Sequence, residues 1–294
     1  MRTIRILLAS LLTSILFSAS ALAAPTQFGG GSEPQSEPHS YSVTRAWETV
    51  QFKMGPSIKY WEKVAKCETN TNWKDTGRYA GGLGIMTSGK FLDSDMGTWE
   101  RYGGEEFAPS PDKATPLEQI IIANRIAVYG YKYSYTKNVG LNGAPMTFDF
   151  FQKPVGYLGW GCIKNTVGKP TTKQEFSVRL PKSKSNYCPK FEDTFKKYGL
   201  PVKVFSYLAW RESRCNPGAV NAKWKNGKIV WTLNSNGTYD SGLLQINSSW
   251  FGTLKREMGH TPSDLFNPEI NAMFASWILH FTSGRLSNWN VKVY

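Results

Sequence analysis

Two glutamates sit where an acid could keep its proton. Glu68 ends the run "SIKYWEKVAKCE" and Glu212 ends "PVKVFSYLAWRE". Trp61, Val64, Ala65 and Glu68 fall at the i, i+3, i+4, i+7 spacing of one helical face, with Lys59, Glu62, Lys63 and Lys66 interleaved. Val204, Phe205, Leu208, Ala209 and Glu212 form the same kind of stripe. Each glutamate therefore prolongs an apolar face. Each also lies in a last helical turn, where the negative end of the dipole disfavours an anion. Burial and dipole together favour the neutral acid, the form that can pass a proton to a departing oxygen. The plain alternative is a helix-end glutamate capped by a backbone N–H or paired with Arg211 or Arg214.

A second carboxylate accompanies one of the two. Asp240 follows Glu212 by 28 residues, in the turn-rich "NSNGTYDSG" that separates two strand-like runs. This spacing predicts a hairpin with Asp240 at its tip. Gly242 would let the strand pass close to a ligand, and Gln245 and Asn247 would point outward from it. An acid on a helix facing a carboxylate on a hairpin is an arrangement that cleaves glycosidic bonds. Asp240 as a turn residue bonding its own backbone is the competing reading. The first segment offers no equivalent: Asp75 comes only seven residues after Glu68.

The elements that must hold these groups divide the 294 residues into blocks. Residues 1–23, two arginines, a short apolar run and Ala21-Leu22-Ala23, read as an export signal. Residues 24–45 read as a flexible leader rich in Gly, Ser and Pro. Two segments, 46–165 and 188–294, are each long enough for a core, and the basic, Pro-punctuated stretch 166–187 is expected to join them. Helices are predicted near 58–68, 115–131, 189–198, 201–213 and 268–281. Thr115, Pro116 and Glu118 form an N-terminal capping signature. The stretch 134–158 has no clear period and is expected to be loop. Helix-rich segments with a small β element make the fold class α+β.

Export favours disulfides among the four cysteines, which allow three pairings. The tidiest is Cys67–Cys162 with Cys188–Cys215, each bridge inside one half. Scattered histidines and no C-x-x-C argue against a metal site, and no cofactor is expected. The net charge of +13 suits a polyanionic partner. For an exported chain that means anionic wall polymers, with no nucleic acid and no membrane anchor once the signal is removed.

The motifs carry two resemblances. "RESRCNPGAVN" and "NSNGTYDSGLLQINSSWF" are similar to the catalytic motifs of c-type lysozymes and soluble lytic transglycosylases. The resemblance implies Glu212 as general acid and Asp240 as second carboxylate, with Gln245 and Asn247 as substrate contacts. "WEKVAKCETNTNW", "DTGRYAGGL", "EQIIIANRIAVYGY" and "GWGC" follow the order of the resuscitation-promoting factors. This implies Glu68 as catalytic acid, Thr76 as active-site threonine and a Cys67–Cys162 bridge. Gly84 stands where that family usually has Gln, and 134–158 exceeds its short loop.

Together they imply two lysozyme-like domains in a secreted or wall-located monomer that cuts the β-1,4 bonds of peptidoglycan glycan strands, as a muramidase or a lytic transglycosylase. The rivals are a non-catalytic wall-binding or signalling protein, a chain with one active half, and a disulfide-stapled protein unrelated to glycans.

Overall fold

The computed structural model describes residues 46–87, 96–138, 140–171 and 175–293. The expected export signal and leader lie outside the described residues. In chain order the elements are β1 (Trp47–Lys53), α1 (Ile58–Thr69), β2 (Tyr79–Ala80), β3 (Ile85–Met86), α2 (Thr98–Arg101), α3 (Pro116–Asn124), β4 (Tyr131–Asn138) and β5 (Pro145–Gln152). There follow β6 (Glu175–Pro181), α4 (Glu192–Lys197), α5 (Val202–Ser213), β7 (Ala222–Lys225), β8 (Lys228–Trp231), β9 (Asp240–Ser241), β10 (Ile246–Asn247), α6 (Phe251–Met258) and α7 (Pro268–Phe281). The strands pair antiparallel, two by two, and the fold is α+β.

Helix α1 begins where the Ser57 side chain accepts the Tyr60 N–H, and it buries Ile58, Trp61, Val64 and Ala65. Trp61 is fully buried, packs tilted against Trp160 with ring centres 4.9 Å apart and donates its indole N–H to Asn124 Oδ1. Truncating it to alanine would cost roughly 3–5 kcal/mol. The helix ends at Asn70 and Thr71, both in the left-handed region. Helix α5 matches it in length, buries Val204, Phe205, Leu208 and Ala209, and ends the same way at Arg214 and Cys215. The capping box on α3 is present: Thr115 and Glu118 exchange hydrogen bonds, with Pro116 in the first turn.

Four expectations change. The α-helix of 115–131 stops at Asn124 and continues as a π-helical turn over Arg125–Tyr129. The stretch 134–158 is not all loop, because β4 and β5 form an eight-residue antiparallel ribbon, Tyr131 opposite Gln152. The strand-like runs on either side of "NSNGTYDSG" do not pair with each other. β8 folds back on β7 around Asn226-Gly227, and β9 pairs with β10, so Asp240 opens a strand opposite Asn247 instead of capping a tip. Helix α6, eight residues long, forms where no helix is expected.

Within the stretch expected to join the halves, β6 pairs with β1 across seven residues, from Trp47 opposite Pro181 to Lys53 opposite Glu175. A second tie is Arg125, 2% exposed, which donates to the carbonyls of Tyr102 and Gly103 and also to that of Lys197 at the end of α4. Buried apolar residues of both halves form one continuous cluster.

Candidate active site

Glu68 and Glu212 occupy the same place in two copies of one local design. Each is the penultimate residue of its helix. The last residue, Thr69 or Ser213, bonds its hydroxyl back to the carbonyl four residues earlier, Ala65 or Ala209. Seven residues past each glutamate a carbonyl, of Asp75 or Ala219, accepts the N–H of the first residue of a tight turn, Gly81 or Gly242. These glycines have φ of 73° and 80°. A Cβ there would meet Gln119 Oε1 at 2.4 Å in one half and Asn271 Nδ2 at 2.2 Å in the other, so only glycine fits.

Those two amides hold the turns. Gln119 Oε1 accepts the Gly82 N–H at 2.8 Å, and its Nε2 donates to the carbonyls of Pro111 and Trp73. Asn271 Oδ1 accepts the Leu244 N–H at 3.0 Å, and its Nδ2 donates to the carbonyls of Leu265 and Ser241. Both amides are fully buried, each the fourth residue of a helix that starts with proline. An indole N–H completes each turn, from Trp160 to the Leu83 carbonyl and from Trp289 to the Leu244 carbonyl, both at 2.9 Å. None of this was visible in the sequence, since the amides bond to groups 37 and 27 residues away.

Neither glutamate is sheltered as the helical stripes predict; both are half-buried. Glu68 Oε1 accepts the backbone N–H of Cys162 at 3.0 Å. The Cys67–Cys162 disulfide fixes that donor beside it. Glu212 Oε1 accepts from Arg211 Nε at 3.0 Å, and the Arg211 guanidinium also reaches the Trp289 carbonyl. Both partners are of the kind expected for a capped or paired helix-end glutamate. In each half the segment bearing the turn-binding tryptophan also reaches the acid, through Cys162 in one and through Arg211 in the other. The Cys188–Cys215 bridge closes three residues beyond Glu212.

Asp240 is gripped from both sides: Asn234 Nδ2 donates to Oδ2 at 3.0 Å and Asn247 Nδ2 to Oδ1 at 2.7 Å. The neighbouring Ser241 bridges to Val220, which tethers β9 to the segment leaving α5. Asn247 also accepts the Ser249 N–H, so both ends of its side chain serve the protein's own framework. Gln245, at the last turn position with φ of 48°, donates to the carbonyls of Ala219 and Gly242 and makes no hydrogen bond through Oε1 among the described residues. Gly242 approaches Asn271 and the Leu265 carbonyl closely, where a ligand contact was expected. Asn234 was missed, although Asn six residues before Asp in a Gly-containing loop is a turn signal. Thr76 is exposed in the connection before β2.

Trp231 is 46% exposed and packs on Tyr239, beside Asp240. Trp250 instead meets Trp277 and Phe281 edge to face. Trp210 stacks on Tyr207, with the Arg214 guanidinium 4.1 Å from its ring centre. A cavity of about 340 Å³ at the seam between the halves, walled by Trp73 and Leu117 on one side and by Met273 and Trp277 on the other, includes neither glutamate. Among the described residues no cluster of His, Cys, Asp and Glu could hold a metal ion.

Two family models match, one described as "Transglycosylase-like domain" over residues 56–131 and one as "Transglycosylase SLT domain" over 190–294. The chain is 36% identical to Resuscitation-promoting factor Rpf1 of Corynebacterium glutamicum over 160 residues, covering 45% of this chain and 78% of that one. It is 40% identical over 68 residues to Resuscitation-promoting factor RpfA of Mycobacterium tuberculosis, which is 22% of this chain and 14% of that one. It is 42% identical over 65 residues to Resuscitation-promoting factor RpfB of Mycolicibacterium smegmatis, 21% of this chain and 16% of that one. The chain thus spans most of the first of these and under a fifth of the two longer ones.

Proposed function

Because the chain belongs to the resuscitation-promoting factor family, we propose that it is exported to the cell wall and cuts the β-1,4 glycosidic bonds of peptidoglycan, with Glu68 and Glu212 as the proton donors of two sites. Both halves are transglycosylase-type domains. The observation that carries the reading is the repeated design: an acid one residue from a helix end, followed by a glycine turn held by a buried amide and an indole N–H. Catalysis of this kind needs an acid held in fixed geometry more than it needs mobile chemistry. The division into 46–165 and 188–294, joined by 166–187, is part of the proposal, as is a net charge suited to anionic wall polymers.

In each half the glutamic acid gives its proton to the bridging oxygen as the bond from that oxygen to the anomeric carbon breaks. In the first half the sugar's own hydroxyl then attacks that carbon and yields its proton to the Glu68 carboxylate, leaving an anhydro end. In the second half Asp240 stabilises or traps the carbon. A water molecule then attacks, giving its proton to the Glu212 carboxylate and leaving a reducing end. Asn247 and Asn234 act through Asp240, Gln245 offers its carbonyl oxygen to the glycan, and Thr76 offers a hydroxyl in the first half.

One observation favours a narrower reading in which the second half alone is active. Tyr79 occupies the strand position that corresponds to Asp240, and Gly84 the turn position that corresponds to Gln245. A zymogram on purified wall with Glu68→Gln, Glu212→Gln and the double variant separates the readings. Two working sites predict residual clearing by each single variant and none by the double. Loss of all clearing in Glu212→Gln alone supports the narrower reading, and no clearing by the parent protein contradicts both.

A further inference from the structure

The β4–β5 ribbon is the least explained part of the molecule, and it is built differently at its two ends. Its base is anchored. Tyr102 donates its hydroxyl to the Lys153 carbonyl at 2.7 Å, Tyr131 hydrogen-bonds Glu106, and the Arg125 guanidinium lies 4.5 Å from the Tyr131 ring centre. Eight residues per strand carry the far end about 26 Å outward at ~3.3 Å per residue. That far end is bare: Leu141 is 91% exposed and Met146 is 47% exposed.

The tip has a composition that water does not explain. From Asn138 to Phe148 there is no charged residue. The tip also pairs backbone groups of its own: Gly140 N–H bonds the Ala144 carbonyl, Gly143 N–H that of Gly140, and Ala144 N–H that of Leu141. Pro145 has no N–H to satisfy. Internal pairing of this kind matters when a loop leaves water, because an unpaired backbone group is costly there. Between base and tip lies an aromatic stem, with Phe150 against Tyr133 at 5.3 Å. Rings with polar edges favour the boundary between water and hydrocarbon.

Charge selects the partner. Within the ribbon and its base, 131–153, Asp149 is the sole acidic residue, against lysines at 132, 137 and 153. Asp149 is itself engaged, bonded by the Ser134 hydroxyl and 3.9 Å from the Lys132 ammonium. An uncharged apolar tip, an aromatic stem and lysine-bearing strands form the pattern of a segment that rests in an anionic lipid interface. We propose that the β4–β5 ribbon is a peripheral membrane contact whose tip, led by Leu141 and Met146, enters the headgroup layer of an anionic bilayer. The contact holds the first half at the membrane side of its working space, and it uses neither glutamate.

The test is co-sedimentation of the full chain with vesicles of phosphatidylcholine and phosphatidylglycerol, against vesicles of phosphatidylcholine alone. The proposal expects partitioning onto the anionic vesicles that falls at least tenfold in Leu141→Asp/Met146→Asp. It also expects partitioning at least fivefold weaker on the neutral vesicles. Circular dichroism checks that the variant remains folded, and Val155→Asp is a control near the ribbon base. Glu68→Gln/Glu212→Gln protein should bind vesicles like the parent, so failure of the catalytic reading leaves this result untouched. Absent vesicle binding, equal binding by the tip variant, or equal binding to neutral vesicles overturns the proposal. So does a tip variant that loses binding to lipid-free wall while keeping its vesicle binding, which would make the ribbon a glycan reader.

Discussion

The two halves solve one mechanical problem with parallel parts and then diverge in the segment that leads to the turn. Both present a glutamate one residue from a helix end, and both fix the turn that follows with glycine, a buried amide and an indole N–H. Between the carbonyl seven residues past the acid and the first glycine of the turn, the first half has the five residues 76–80. The second has the 22 residues 220–241, including the β7–β8 hairpin, Asn234 and Asp240. The added length delivers a second carboxylate and an amide to orient it. Where the register puts Asp240 opposite Asn247, the first half has Tyr79 opposite Met86, neither of which is acidic. A shared framework therefore fixes where the acid sits, and an inserted loop changes what stands across from it.

The largest effect that would sharpen this comparison is in the disulfides. Cys67–Cys162 spans 95 residues and Cys188–Cys215 spans 27. Loop-closure entropy puts their worth at about 5 and about 3.5 kcal/mol. Urea unfolding of the two paired Cys→Ala variants should rank them in that order. The first bridge also fixes the donor to Glu68, so its loss should lower clearing by Glu212→Gln protein more than loss of the second bridge lowers clearing by Glu68→Gln protein. Equal stability losses and equal activity losses would remove the distinction.

Next comes a pH effect confined to the second half. His280 is fully buried, donates Nδ1–H to the Ser276 carbonyl and has no partner for Nε2 among the described residues. Burial pushes its pKa down to about 4. The unfolded chain takes up this proton near pH 6.5, whereas the folded one resists until about 4. Its contribution is thus fully present above pH 6.5 and lost as pH falls through that window, about 3 kcal/mol in all. The first half, 46–165, contains no histidine. Replacing His280 with Leu should flatten unfolding free energy between pH 6.5 and 4, and an unchanged slope would contradict the assignment.

The smallest effect is the most specific to chemistry. In a Glu68→Gln background, Asp240→Asn should slow turnover about a hundredfold, near 2.7 kcal/mol. In a Glu212→Gln background, Tyr79→Phe should change it less than threefold. If Asp240→Asn leaves turnover unaltered, the inserted loop serves something other than the second carboxylate.

The framework was partly legible. Periodicity located Glu68 and Glu212 and the faces they extend, because α1 and α5 bury a stripe at helical spacing. Thr115 and Pro116 announced α3, and two bridges confined to the halves matched the tidiest pairing of the cysteines. The β4–β5 ribbon was not found, although Tyr131, Tyr133 and Tyr135 alternate with polar residues. Aromatics on a half-exposed ribbon give no apolar run, and Gly140, Gly143 and Pro145 resemble plain loop. The hairpin register failed for a different reason: Asn226-Gly227 is itself a turn signal, and it pairs β8 with β7 before β8 can reach β10. Gln119, Asn271 and Asn234 stayed hidden because a buried amide is recognised by the backbone groups that surround it, which come from other parts of the chain.

The most direct measurement is mass spectrometry of wall fragments released separately by Glu212→Gln protein and by Glu68→Gln protein. Anhydro ends alone are expected from the first and reducing ends from the second, with the reducing ends falling about a hundredfold when Asp240→Asn is added. Identical end chemistry from the two proteins would contradict it.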